Sequence, residues 1–187
     1  ADAELSYAPS ALNILHNGHT VQVNYDAGNY LTLNGTRYEL LQFHFHTPSE
    51  HAINGKLAEM EIHFVHRSME SEGMLAVLGV LVYEGEEDNP AFEAVWQHLP
   101  TRESEEQTFS ETINAADILP RDHRVYQYMG SLTTPPCSQG VSWNVLAEPM
   151  TLSRTQLDTL HAILGNNNRP VQPLFNREVV QDSTANP

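Results

Sequence analysis

Few folds can accept the segment Leu41-Gln42-Phe43-His44-Phe45-His46. Side chains along an extended strand alternate faces, so Phe43 and Phe45 share one side and His44 and His46 the other. The phenylalanine side requires a core. The histidine side requires a cavity or a second interior, because buried polar groups need partners. Glu61-Ile62-His63-Phe64-Val65-His66 repeats the alternation. A neighbouring strand of this kind can bring His63 beside His44 and His46.

Three neutral imidazoles converging on one point form the ligand set of a catalytic zinc ion, which keeps a fourth position for water. The alternative is a polar cleft with three hydrogen-bonded histidines. A metal-bound imidazole usually donates its remaining N–H to a carboxylate, amide or carbonyl. Gln42 lies two residues before His44, and Glu61 two before His63, each on the same strand face as its histidine. Asn144, near the end of another strand, is a third candidate orienting group.

Strand signals dominate the rest. Leu12–Leu15, Thr20–Tyr25 and Tyr30–Leu33 alternate between turns at Asn17-Gly18, Ala27-Gly28 and Asn34-Gly35. Asn34-Gly35 reads as a hairpin turn rather than a glycosylation site. Arg37–His46, Leu57–His66 and Met74–Tyr83 follow, the last almost wholly apolar and therefore a strand buried on both faces. Val125–Tyr128 and Val141–Ala147 complete the set. Two short helices are expected, one after Asn89-Pro90 and one behind the capping box Ser153–Gln156, stopped by Gly165. Glu84–Asp88 and Glu103–Glu111 read as solvated loops. The expectation is one mostly β domain over residues 1–187, with a few short peripheral helices and a flexible tail from about residue 176.

The chain carries a formal net charge of −15. That balance excludes nucleic acid as a partner, since phosphate binding needs a surplus of Lys and Arg. No run of about twenty apolar residues is present, so no membrane span is expected. The one cysteine, Cys137, is either an inert thiol or half of a disulfide whose partner lies outside this chain.

Taken in order, Gln42-Phe-His44-Phe-His46, Ser49-Glu50-His51, Glu61-Ile-His63-Phe-Val-His66, Gly130-Ser-Leu-Thr-Thr-Pro-Pro-Cys137 and Val141-Ser-Trp143 resemble the alpha-class carbonic anhydrases of bacterial type. The resemblance runs from about Leu12 to Pro173. It implies a central, mainly antiparallel, twisted ten-stranded sheet with a conical cleft. It implies Zn2+ on His44, His46 and His63, and reversible hydration of carbon dioxide to bicarbonate and a proton, with side esterase activity. In the family a threonine hydroxyl orients the nucleophile and donates to a glutamate; Thr133 and Glu50 match those positions. Thr134 matches a contact to bicarbonate. Val65, Val77, Leu132, Val141 and Trp143 match the dry wall beside the metal, although composition alone would place all five in the core. His19 matches the proton shuttle, with Asn17 and Gln22 nearby. A cis bond is expected at Pro135–Pro136.

The family pattern usually begins with an aromatic-rich segment and, in bacterial members, a cysteine that pairs with one placed like Cys137. This chain is expected to be N-terminally shortened relative to that pattern. A periplasmic or secreted mature chain is expected, with the small-molecule substrate as partner and a homodimer as a compatible assembly. Two other functions fit the same residues less well: a non-catalytic binding module without metal, and an iron oxygenase, which would want a carboxylate ligand such as Glu50.

Overall fold

The computed structural model describes residues 3–181. Along the chain run β1 (Ala3–Ser6), β2 (Ser10–His16), β3 (Val21–Asn24), β4 (Tyr30–Leu33), β5 (Thr36–His46), the small hairpin β6 (Ala52–Ile53) and β7 (Lys56–Leu57), β8 (Met60–Ser68) and β9 (Leu75–Gly85). Then come α1 (Glu93–Trp96), β10 (Glu106–Ile113), β11 (Val125–Ser131), β12 (Gln139–Leu146), β13 (Met150–Ser153), α2 (Arg154–Leu164) and β14 (Val180–Gln181).

All strands except the β6–β7 pair join one sheet, ordered β10-β2-β3-β5-β8-β9-β12-β11-β14, with β4 and β1 continuing from β5 and β13 beside β9. Pairing is antiparallel except where β12 and β13 run parallel to β9. The sheet has twelve strands rather than the expected ten. The strands beyond the sequence reading are short or polar. β1 and β14 have four and two residues, and β13 is cut off by the helix cap that follows it. Glu103–Glu111, read as a solvated loop, supplies most of β10. This edge strand pairs with β2 yet leaves nearly every side chain in solvent, so it carries no apolar alternation. The tail expected from residue 176 divides: Val180 and Gln181 pair with β11, and residues 182–187 lie outside the described residues.

Local chemistry explains the boundaries. Asn34 and Gly35 both have positive φ, which the two-residue turn between β4 and β5 requires. Ser153 and Gln156 cap α2 reciprocally, and Gly165 ends it with φ of 59°. Asn89 caps a single 3-10 turn, Pro90–Phe92, that leads into α1, so this helix is shorter than its apolar spacing suggested.

The sheet has two different faces. Phe43, Phe45, Ile62, Phe64, Leu78 and Val80 form the principal core, covered by Leu157 and Leu160 of α2 and by Trp96. The opposite face of β5 and β8 carries His44, His46 and His63. Register fixes what stands there: Gln22, His44, His63, Gly79 and Val145 lie in one row across five strands. The next row runs Asn24, Gln42, Val65, Val77, Trp143, Tyr128.

Candidate metal centre and active site

His44 and His63 are direct cross-strand partners, and His46 stands opposite Glu61 one pleat further on. The three imidazole centroids are 4.7 to 5.3 Å apart. One ring nitrogen from each lies within 4.8 Å of the others. Each outward nitrogen is already engaged. His44 Nδ1–H donates to Gln42 Oε1 at 2.8 Å, His46 Nδ1–H to the Asn167 carbonyl at 3.3 Å, and His63 Nε2–H to the Glu61 carboxylate. These bonds fix the tautomers and leave His44 Nε2, His46 Nε2 and His63 Nδ1 for a metal. Burial, then the neighbouring imidazoles, holds the His44 ring well below its ordinary pKa. His46 is pushed down to about 3, mainly by burial and His63. Both are neutral at physiological pH, as metal binding requires.

The decisive test of fit is an orphan. His46 Nε2 and Glu50 Oε1 are buried and have no hydrogen-bond partner among the described residues. Leaving such atoms unsatisfied costs about 1–3 kcal/mol each. A divalent ion on the three nitrogens removes the cost at His46. The all-imidazole donor set, with no thiolate and no bound carboxylate, suits zinc. A second cluster, His51, Glu61 and His63, also has donors within reach of one another. Its atoms are spoken for: Glu61 accepts from His51 Nδ1 at 2.7 Å, from the His51 and Glu50 backbone N–H groups, and from His63. Burial alone would raise the Glu61 carboxyl, but His51 and His63 bring it well below the carboxylate range. Glu61 is therefore an anion that braces one ligand and anchors the Glu50–His51 turn.

Glu50 sits 3.3 Å from His46 Nε2 and 3.8 Å from His63 Nδ1. Thr133 hydrogen-bonds its carboxylate, and the Arg169 N–H donates to Oε2 at 2.5 Å. Burial nevertheless raises the Glu50 carboxyl. Thr133 and Thr134 lie in the turn ahead of cis-Pro136, the expected cis bond, and Thr134 O accepts from Cys137 N. Cys137 is a free, partly exposed thiol. The five apolar residues come together as one cluster: Val65, Val77, Val141 and Trp143 are buried, and Leu132 packs against them. A Cβ on Gly130 would lie 2.8 Å from the Trp143 ring, so this wall depends on glycine there. His19 is exposed on the turn between β2 and β3. That turn connects to the centre through Asn17 Nδ2, which donates to Gln22 Oε1, and Gln22 stands beside His44. A cavity of about 430 Å³ opens next to Glu50 and Thr133, bordered by Trp143, Tyr128, Val171 and Leu174; none of the three imidazoles lines it.

Asn144 is a correction. It is fully buried, but in the row of Phe43, Phe64 and Leu78 on the core face, where it accepts from Gln127 and donates to Val77 and Ser142. It touches no ligand. The third orienting group is Asn167, through its backbone carbonyl, from the loop after α2. No periodicity marks it: the contact spans 121 positions, and a main-chain acceptor is supplied by any residue type.

The eukaryotic-type carbonic anhydrase family model matches residues 3–183, almost the whole chain. The chain belongs to this family. Among curated relatives, a carbonic anhydrase of Nostoc sp. is 44% identical over 94% of the chain, and one of Neisseria gonorrhoeae is 41% identical over 95%. The chain spans 66% of the Nostoc protein's length and 70% of the Neisseria protein's. Among solved structures, the alpha-carbonic anhydrase of Thermovibrio ammonificans, in complex with the inhibitor sulfanilamide, superposes with a TM-score of 0.91 at 42% identity, covering 96% of this chain and 78% of that one. The Photobacterium profundum alpha-carbonic anhydrase gives 0.90 at 43%, covering 96% and 81%.

Proposed function

We propose that the chain catalyses the zinc-dependent, reversible hydration of carbon dioxide to bicarbonate and a proton. The observation that carries this is the convergence of three imidazoles with one inward nitrogen, that of His46, left without a hydrogen bond. Zinc bound there would lower the pKa of a coordinated water to about 7 and so supply a nucleophile at neutral pH.

The chain's own residues have separate tasks. His44, His46 and His63 hold the ion, oriented by Gln42, Asn167 and Glu61. The Thr133 hydroxyl donates to Glu50, which turns the threonine lone pairs outward to accept the nucleophile's hydrogen and aim it. Val65, Val77, Leu132, Val141 and Trp143 exclude water from the side where an apolar substrate must stand. Thr134 stands beside Thr133 as a polar contact for bicarbonate. His19, exposed to buffer, carries the released proton, which suits an imidazole near neutrality. Hydrolysis of small activated esters belongs to the same proposal, because the same nucleophile attacks other carbonyls. So does a periplasmic or secreted location, resting on the likeness to bacterial enzymes and tested by cell fractionation.

The test is a carbon dioxide hydration assay on the purified chain, with metal analysis and with sulfanilamide. Activity should track zinc up to one ion per chain and fall when the inhibitor is added. A folded chain that binds one zinc and hydrates nothing above background overturns the reading.

A further inference from the structure

Asn167 does more than offer a carbonyl to His46. Its side-chain amide has two N–H donors, and both are used: one bond goes to the His19 carbonyl at 3.0 Å and one to the Phe45 carbonyl at 3.0 Å. Its Oδ1 accepts from Thr47 N at 2.8 Å, and its own N–H donates to Thr47 O at 3.1 Å. One residue therefore grips the end of β5 on both sides of His46 and also reaches the turn that presents His19.

Asn167 is the side chain that reaches the His19 carbonyl itself, and the other anchors of that turn hold the residues around it. Within the turn, Asn17 Oδ1 accepts from His19 N and Thr20 N, while Asn17 Nδ2 reaches Gln22 of β3 at 3.4 Å. Outward, Thr20 Oγ1 donates to the Phe45 carbonyl, the same acceptor that Asn167 uses. The turn and the ligand strand thus meet at Phe45, whose N–H also donates to Thr20 Oγ1, with Asn167 bridging them.

We infer that the Asn167 side chain is a positioning residue that holds the His19 turn at a fixed place relative to the metal ligands, so that proton export depends on it. The inference rests on the function proposed above for His19. It separates two roles within one residue. The backbone carbonyl orients His46 and survives substitution, whereas the amide donors, one to the His19 turn and one to the ligand strand at Phe45, do not.

A double-mutant cycle with His19 tests this. Asn167→Ala should lower kcat in dilute buffer several-fold, by clearly more than it lowers kcat/KM for carbon dioxide, and added imidazole should restore the kcat lost. In a His19→Ala background the same substitution should change kcat little. Zinc content should stay at one per chain. If Asn167→Ala fails to fold, Asn167→Asp keeps the acceptor for Thr47 N, loses both donors, and should behave alike. A second readout needs no metal: in histidine-labelled protein, the His19 ring resonances should shift in the variant while those of His66 stay put. Equal loss of kcat with and without His19, a parallel fall in kcat/KM, loss of zinc, or unmoved His19 resonances would each overturn the inference. Should the parent chain prove inactive, the resonance arm still decides whether Asn167 holds the turn.

Discussion

His46 and His66 are buried to the same degree, 1% and 0% exposed, on adjacent strands of one sheet. Burial is the main cause that pushes both rings down, to about 3 for His46 and about 4 for His66. They differ in what their nitrogens meet. His66 lies on the core side, where its Nδ1–H donates to the Ala76 carbonyl at 3.2 Å and its Nε2 accepts from the Tyr7 hydroxyl. Nothing is left over. His46 has one nitrogen on the Asn167 carbonyl and the other without a hydrogen bond, among two more imidazoles. Burial and a depressed pKa therefore do not mark a metal ligand. An unsatisfied inward nitrogen does, because folding tolerates the cost of that atom only where something else will bind it.

The widest way to break this contrast is to delete each ring in turn. His46→Ala should abolish stoichiometric zinc binding and hydration and cost less stability than the loss of His66, because an orphaned nitrogen leaves with the ring. His66→Ala should retain zinc and activity but lose about 3–5 kcal/mol, from a cavity and a Tyr7 hydroxyl left without its acceptor. At roughly 2–4 °C per kcal/mol for a chain of this size, its melting temperature should fall by about 6–20 °C. Zinc titration and thermal melts on both variants check the crossing pattern. If both variants lose zinc equally, the satisfied and unsatisfied rings do not have separate roles.

Much of this division could be read in the residue order. Phe43 and Phe45 against His44 and His46 set the two faces, and a two-residue offset placed Gln42 and Glu61 beside their histidines. The five apolar residues named from the family resemblance pack into one cluster. The failures share a cause. Alternation tells which residues within a strand share a face, but not which face a distant strand turns toward the site. Asn144 was therefore placed by proximity to a strand end and proved to lie with Phe64 and Leu78. Asn167 lies in a loop whose contacts are set by where α2 ends, and β10 hid behind its polar, exposed side chains.

A smaller effect sharpens the comparison through pH. The folded-state pKa of His66, about 4, lies below the unfolded value of about 6.5. The unfolded chain therefore takes up this proton first as the pH falls. The stability tied to a neutral His66 is complete above pH 6.5 and is lost progressively as pH drops toward 4, by about 3 kcal/mol over that window. Denaturant unfolding at pH 7 and at pH 4.5 should show a shallower loss for His66→Phe than for the parent chain. Comparing the two chains cancels the other acids. Identical slopes would mean that His66 does not resist protonation in the fold.

The finest test concerns the nitrogens that face away from the metal. Gln42 Oε1 accepts from His44, so Gln42→Ala removes the group that fixes that ring's tautomer and orientation. Zinc affinity should weaken by about 10–100-fold, the usual penalty for losing such a partner. Gln42→Glu, which keeps an acceptor at the same reach, should recover most of it. Asn144→Ala is the matched control: a buried polar residue only two strands from β8, but on the side of His66. It should unfold more easily, because Gln127 loses its acceptor, and bind zinc as the parent does. Competition with a chelator measures both. Equal weakening by the two substitutions would show that general loosening of the sheet, rather than the hydrogen bond on the outward nitrogen, sets how tightly the ion is held. The distinction between His46 and His66 would then reduce to their distance from the metal.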